Sequence, residues 1–208
     1  MTSSFFPTRA LLWTFWANNL FIIGMVGYCL MDSLDYMRRN NLSASTTGLV
    51  YIFLAALFVV HSKLQFLSIY HVGRHSHRYY AMLFSYIFDA LGSWAYLIGA
   101  VLTTTSLTSG NTVWTFNAAG VVGFAIAALI NMMVVGTSSL SSWANSLNLL
   151  GASLYLVAMF INIAPLVVII VLAGDFVYLL DSILYKICWF SDRQWVLAHG
   201  EQSAVLNK

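Results

Sequence analysis

Three carboxylates interrupt long apolar runs in this chain. Asp89 stands within "SYIFDALGSWAYLIGAVL", and Asp175 and Asp181 stand within "VLAGDFVYLLDSILY". At the centre of a bilayer a charged side chain costs roughly 2.5–3.5 kcal/mol on insertion scales, so such residues normally face a bundle interior and mark a site. His61, in "LAALFVVHSKLQF", lies one helical turn before Gln65 and so shares its face. The spacing places His61, Asp89 and Asp181 in the membrane half that also holds the two chain ends. Asp89 and Asp175 fall near mid-span. Carboxyls and an imidazole clustered in a low-dielectric interior can hold and pass protons or cations. The same groups can also serve as uncharged polar glue, bonded to Tyr, Ser or Asn across helix contacts. Both readings of the His61, Asp89, Asp175 and Asp181 cluster are open at this level.

Other chemistry is poorly supplied. There is no nucleophile–base pair, phosphate-binding glycine loop or zinc motif, so no residue argues for catalysis, and no cofactor is expected. His61 alone sits where an intramembrane haem ligand would. Lys186 follows Asp181 by five residues, about 140° around a helix, and six spans do not make a retinal protein. It reads as a lysine snorkelling to the interface. The stretch "YHVGRHSHRYY" carries His71, His75 and His77 with Arg74 and Arg78. Three histidines without cysteine or carboxylate are a weak metal signal. A solvated basic loop, or one that meets anionic headgroups, accounts for them. Cys29 and Cys188 belong on opposite membrane sides and are expected to pack as free thiols.

The elements that position these groups follow from composition. Of 208 residues, 60% are hydrophobic and 8% charged, whereas soluble domains carry about 25% charged residues. Such a chain cannot cover a water-facing surface, and a net charge of +2 gives no footing for nucleic acid. A span needs about 20 mainly apolar residues. Six segments qualify: 11–31, 47–69, 81–103, 113–135, 143–163 and 165–187. In lipid each backbone amide must be bonded within its own segment, which makes these helices. Pro165 marks the break between the last two, because proline suits a first helical turn and disfavours helix at the residue before it. The first run is too long for a leader and lacks a small-residue cleavage site, so it reads as a retained span. Arg9, Arg74, Arg78, Arg193 and Lys208, with Lys63 and Lys186 nearby, fall on the side of the termini, against Arg38 and Arg39 on the other. That excess marks the terminus side as cytoplasmic or its equivalent. "NLS" at 41–43, on the opposite side, is a glycosylation acceptor pattern or a chance tripeptide.

One phrase recurs through the spans. Spans one, three and five share a glycine with a tyrosine four residues on: Gly24 and Tyr28, Gly92 and Tyr96, Gly151 and Tyr155. Spans two, four and six echo it with Gly48 and Ile52, Gly120 and Phe124, Gly174 and Tyr178. The repeating unit is a helical hairpin used three times in one orientation, at about 11–69, 81–135 and 143–187, around an axis along the membrane normal. Residues four apart share a face, and a glycine there admits a neighbouring backbone. The stripe therefore predicts helix-packing seams. Asp32 joins the face of Gly24 and Tyr28, and Asn145, Asn148 and Tyr155 line up on span five. "GSWAYLIGAVL" at 92–102 and "GDFVYLLDSILY" at 174–185 resemble the glycine–aromatic signature of the YrhK-like domain, with "TGLVYIFLAALFVVHS" at 47–62 a looser match. Asp89, Asp175 and Asp181 depart from that pattern. The resemblance implies a two-helix membrane unit and brings no chemistry with it.

The expectation is an all-α polytopic bundle of six transmembrane helices built from three tandem hairpins. Residues 1–187 form one membrane domain, and 188–208 form a cytoplasmic-side tail that docks through Trp189 and Trp195. Its partners are the lipid bilayer and either other membrane subunits or further copies of itself. Two functions remain: an accessory or assembly component without catalysis, and a small channel or transporter for protons, cations or small solutes.

Overall fold

The computed structural model describes residues 9–37, 41–70, 77–135, 140–161 and 163–206, and their side chains except at 70, 77, 78, 135 and 195–206. Six helices follow one another: α1 (Arg9–Tyr36), α2 (Ala44–Tyr70), α3 (His77–Thr105), α4 (Gly110–Val135), α5 (Leu140–Phe160) and α6 (Ala164–Leu206). All six are long and apolar enough to cross a membrane. The chain is thus an all-α, multi-pass membrane protein. Helix starts follow local chemistry. The Ser43 hydroxyl accepts the Thr46 amide at 3.1 Å, capping α2. The Ser109 carbonyl accepts the Thr112 amide at 3.0 Å at the head of α4. Between α5 and α6 the helix stops at Phe160 and restarts at Ala164, with Pro165 in the first turn and the Ile163 carbonyl accepting the Leu166 and Val167 amides.

Among the described residues each helix packs only against its two neighbours in the chain, and α6 returns to α1. The result is a closed ring of six antiparallel helices. Its outer face is apolar: Trp16, Phe53, Leu91, Trp94, Phe176 and Leu180 are all at least half exposed. Its inner face carries the polar groups, with Ser85, Ser93, Asp175, Asp181 and Ser182 almost fully buried. This inversion of a soluble protein's arrangement is what a lipid solvent requires.

Small residues set how closely the ring closes. A Cβ on Gly92 would lie 2.8 Å from the Gly120 carbonyl oxygen, and one on Gly123 would lie 2.9 Å from the Gly92 Cα, so α3 and α4 touch backbone to backbone. Between α5 and α6 the notch is filled by rings instead: Tyr178 lies over Gly151, and Tyr155 over Gly174. Between α1 and α2 the ring of Phe58 covers Gly24. The α2 register expected from Gly48 and Ile52 therefore differs in the structure. Gly48 faces Thr104 of α3, and the ring that meets α1 comes from Phe58, further along α2.

Helix α6 does not end where the apolar run ends. It continues for 43 residues, about 64 Å at 1.5 Å per residue. The expected tail from 188 onward begins as part of that helix. Cys188 and Trp189 are buried against the bundle, and the Trp189 Nε1 donates to the Leu11 carbonyl at 2.7 Å. Trp189 thus clamps α6 to α1, while the side chain of Trp195 lies outside the described set. The Lys186 amine does not reach freely into solvent: it donates to Asn19 Oδ1 at 3.0 Å and stands 3.4 Å from the centre of the Phe15 ring. Cys29 and Cys188 are both free and buried. Arg38, Arg39, His71, Arg74, His75 and Lys208 lie outside the described residues, as do the side chains of His77 and Arg78.

Candidate functional site

The inward stripes meet along the ring axis. Tyr28 of α1, Tyr96 of α3 and Tyr155 of α5 join Phe21, Phe58 and Tyr178 in an aromatic core. The centres of the Tyr28 and Tyr96 rings are 6.1 Å apart, and those of Tyr155 and Tyr178 are 5.8 Å apart. The expected packing residues Gly24, Tyr28, Gly92, Tyr96, Gly151, Tyr155, Gly174 and Tyr178 all lie at these helix contacts.

Two cavities flank this aromatic layer. Toward the face opposite the termini, a vestibule of about 790 Å³ opens among α1, α2, α3 and α4, with Asp32, Asp35, Tyr51, Thr104 and Asn117 in its wall. Toward the terminus-bearing half, an internal cavity of about 80 Å³ runs past His61, Asp89, Asn148 and Tyr185 to Gln65 and Asn131. That volume holds several waters. Tyr28 and Tyr96 line both spaces and so form the partition between them.

The four titratable residues expected to cluster divide into two groups. Asp175 belongs to the vestibule side. Its carboxyl group stands beside that of Asp32 on α1, close enough for the two to interact directly. The Tyr155 hydroxyl donates to Asp175 Oδ1, and the Tyr51 hydroxyl donates to Asp32 Oδ1. Tyr51 also reaches Asp35 Oδ2 at 3.2 Å. Any hydrogen bond between the two carboxyl groups requires a proton on one of them. Asp175 is fully buried and its Oδ2 accepts no hydrogen bond among the described residues.

The second group lies about two turns further along α6. Asp181 accepts from Asn148 Nδ2 at 2.7 Å, while its Oδ1 and Asp89 Oδ2 receive no donor among the described residues. Both carboxyls are within electrostatic range of Tyr178 and Tyr185. The Tyr185 hydroxyl in turn donates to Asn145 Oδ1. His61 lines the same internal cavity as Asp89, but its ring is held elsewhere: Nδ1 donates to the Ala17 carbonyl at 2.9 Å and the ring stacks on Phe21 at 5.0 Å. A carbonyl only accepts, so Nδ1 carries a proton. The structure therefore brings Asp89 and His61 to one cavity without a direct bond between them, sets Asp181 behind Asn148 of its wall, and places Asp175 with Asp32. The sequence set Asp32 on the inward stripe of Gly24 and Tyr28 without pairing it with Asp175, and it did not single out Tyr51.

No group of three or more His, Cys, Asp or Glu suited to a metal occurs among the described residues. No family model, curated protein or solved structure matches this chain.

Proposed function

We propose that this protein is a small membrane transporter that passes protons or other small cations along the axis of its helix ring. One observation carries the reading: a carboxyl pair, the fully buried Asp175 and the part-buried Asp32 of the vestibule wall, sits beside the tyrosine partition between a vestibule and an internal polar cavity. Helices joined only for support gain nothing from burying carboxyl oxygens of Asp89 and Asp181 without donors, a cost of about 1–3 kcal/mol for each group. A conduction path uses such groups as stations. In this reading a proton enters through the vestibule to the Asp32–Asp175 pair. Movement of Tyr28 and Tyr96 then opens the way to Asp89, His61 and Asp181. The excess of basic residues on the terminus side orients the vestibule away from the cytoplasm. The hairpins' resemblance to YrhK-like modules supports three copies of one architectural unit and adds no chemistry.

The test is flux. The full chain is reconstituted in liposomes enclosing a pH-sensitive dye, and a potassium gradient with valinomycin drives proton entry. Wild type should acidify the lumen well above empty liposomes. Asp32→Asn and Asp175→Asn should each lower the rate at least tenfold while remaining monodisperse. Rates equal to empty liposomes, or unaltered flux in the Asp32→Asn/Asp175→Asn variant, would overturn the proposal. The accessory alternative expects silence in liposomes together with other membrane subunits co-purifying in stable proportion.

A further inference from the structure

The vestibule has the chemistry of a particular substrate class. Its volume, about 790 Å³, falls within the roughly 300–1,000 Å³ of ordinary small-molecule sites and far exceeds what a bare proton path needs. Its inner end is both aromatic and anionic. Tyr28, Tyr51 and Tyr96 all line it, with Tyr28 at 5.7 Å from Tyr51 and 6.1 Å from Tyr96 between ring centres. The Asp32 carboxyl stands in the same wall, backed by Asp175. A second, independent feature points to a ligand. The Tyr28 side chain is 4% exposed, borders the vestibule, and its hydroxyl has no hydrogen-bond partner among the described residues. No lysine, arginine or histidine occurs among the described residues of the lining.

Aromatic faces gathered around a carboxylate select a cation that also has apolar surface. Ring quadrupoles attract the charge, and alkyl groups replace water against the rings. The carboxyl and hydroxyl oxygens of the wall suit any cation, but only one with apolar surface also gains from the rings, and a neutral molecule forgoes the charge attraction of the carboxyl groups. We propose that the vestibule binds an organic ammonium ion, its charged nitrogen toward Asp32 and its alkyl groups against Tyr28, Tyr51 and Tyr96. This extends the transport reading above, since it gives the same carboxyl pair its substrate.

Binding is read by calorimetry on the full chain in nanodiscs, independently of flux. The probes are choline, its uncharged isostere 3,3-dimethylbutan-1-ol, and potassium chloride at equal ionic strength. Choline should bind saturably, and the alcohol at least tenfold more weakly. Asp32→Asn should weaken choline at least tenfold. Tyr51→Leu should weaken it about three- to thirtyfold, the span of a cation–π contact. Equal binding of choline and the alcohol, displacement of choline by potassium at matched concentration, or full choline affinity in Asp32→Asn would each overturn the ammonium site. Proton flux that persists without choline binding leaves the transport proposal standing and removes only this one. Choline binding without flux does the reverse.

Discussion

Gly123 offers the cleanest perturbation of the ring. An alanine there would put its Cβ 2.9 Å from the Gly92 Cα, 2.9 Å from the Phe88 carbonyl oxygen and 3.1 Å from the Gly92 nitrogen. All three are backbone atoms of α3, so no side chain can turn aside. Carbon atoms prefer about 3.5–4.0 Å, and the two helices must therefore separate by about 0.5–1 Å at their closest point. A gap of that size forfeits a quarter to a half of the dispersion energy of the contacts around it. Overpacking of this kind costs about 1–3 kcal/mol. Alanine's better helix propensity returns up to about 1 kcal/mol. The net expectation for Gly123→Ala is a loss of about 1–2 kcal/mol. Gly110→Ala serves as the control, since a Cβ there meets nothing within 4 Å. Reversible unfolding in mixed SDS micelles, followed by tryptophan fluorescence, reads both. Gly92→Ala presses on the same seam from the other side, at 2.8 Å from the Gly120 carbonyl, so the double variant should depart from additivity. If Gly123→Ala proved as stable as wild type or more so, propensity would have won and α3 and α4 would not lie in backbone contact.

The buried amide at Asn148 should matter through its partner. Asn148→Leu leaves Asp181 without its donor and should cost about 1–3 kcal/mol in the same unfolding assay, with Asn148→Leu/Asp181→Leu recovering most of it. Trp189→Ala removes the clamp between α6 and α1 and should cost about 3–5 kcal/mol. Hydrogen exchange at the first turns of α1 should rise with it, and unchanged protection there would refute the clamp. Single cysteines at Ser45 and Thr104, in a background without Cys29 and Cys188, should react with a membrane-impermeant thiol reagent only from the side opposite the termini. Reaction from the terminus side would reverse the placement of the vestibule.

Span number, span type and the break at Pro165 were legible because lipid imposes one period and one minimum length on every segment. The inward direction of Asp175, Asp181, Asn145 and Asn148 was legible for the same reason, since a polar stripe at helical spacing has only the bundle to face. Partnership was not. Asp175 meets Asp32, across the junction of the last helix with the first, and no local pattern encodes which distant helix closes the ring. The register of α2 escaped for a related reason. Gly48 looks like a hairpin notch in sequence, but its small size serves the next helix over, against Thr104, and the α1 contact uses Phe58. His61 was grouped with the carboxylates by membrane depth, and it does share a cavity with Asp89, but its hydrogen bond goes to the Ala17 carbonyl, a backbone group that composition cannot place.

Because the circle of helices is completed by its most sequence-distant members, biogenesis has a fixed order. Asp32 leaves the ribosome early, on the first segment to insert, and its companion Asp175 arrives only with the last. Until then Asp32 has Tyr51 of α2 for company but not its acidic companion, and the gap between α1 and α5 stays open. A chain cut short before α6 would leave that gap unfilled, with the inward polar stripes of α1 and α5 lacking the helix that covers them.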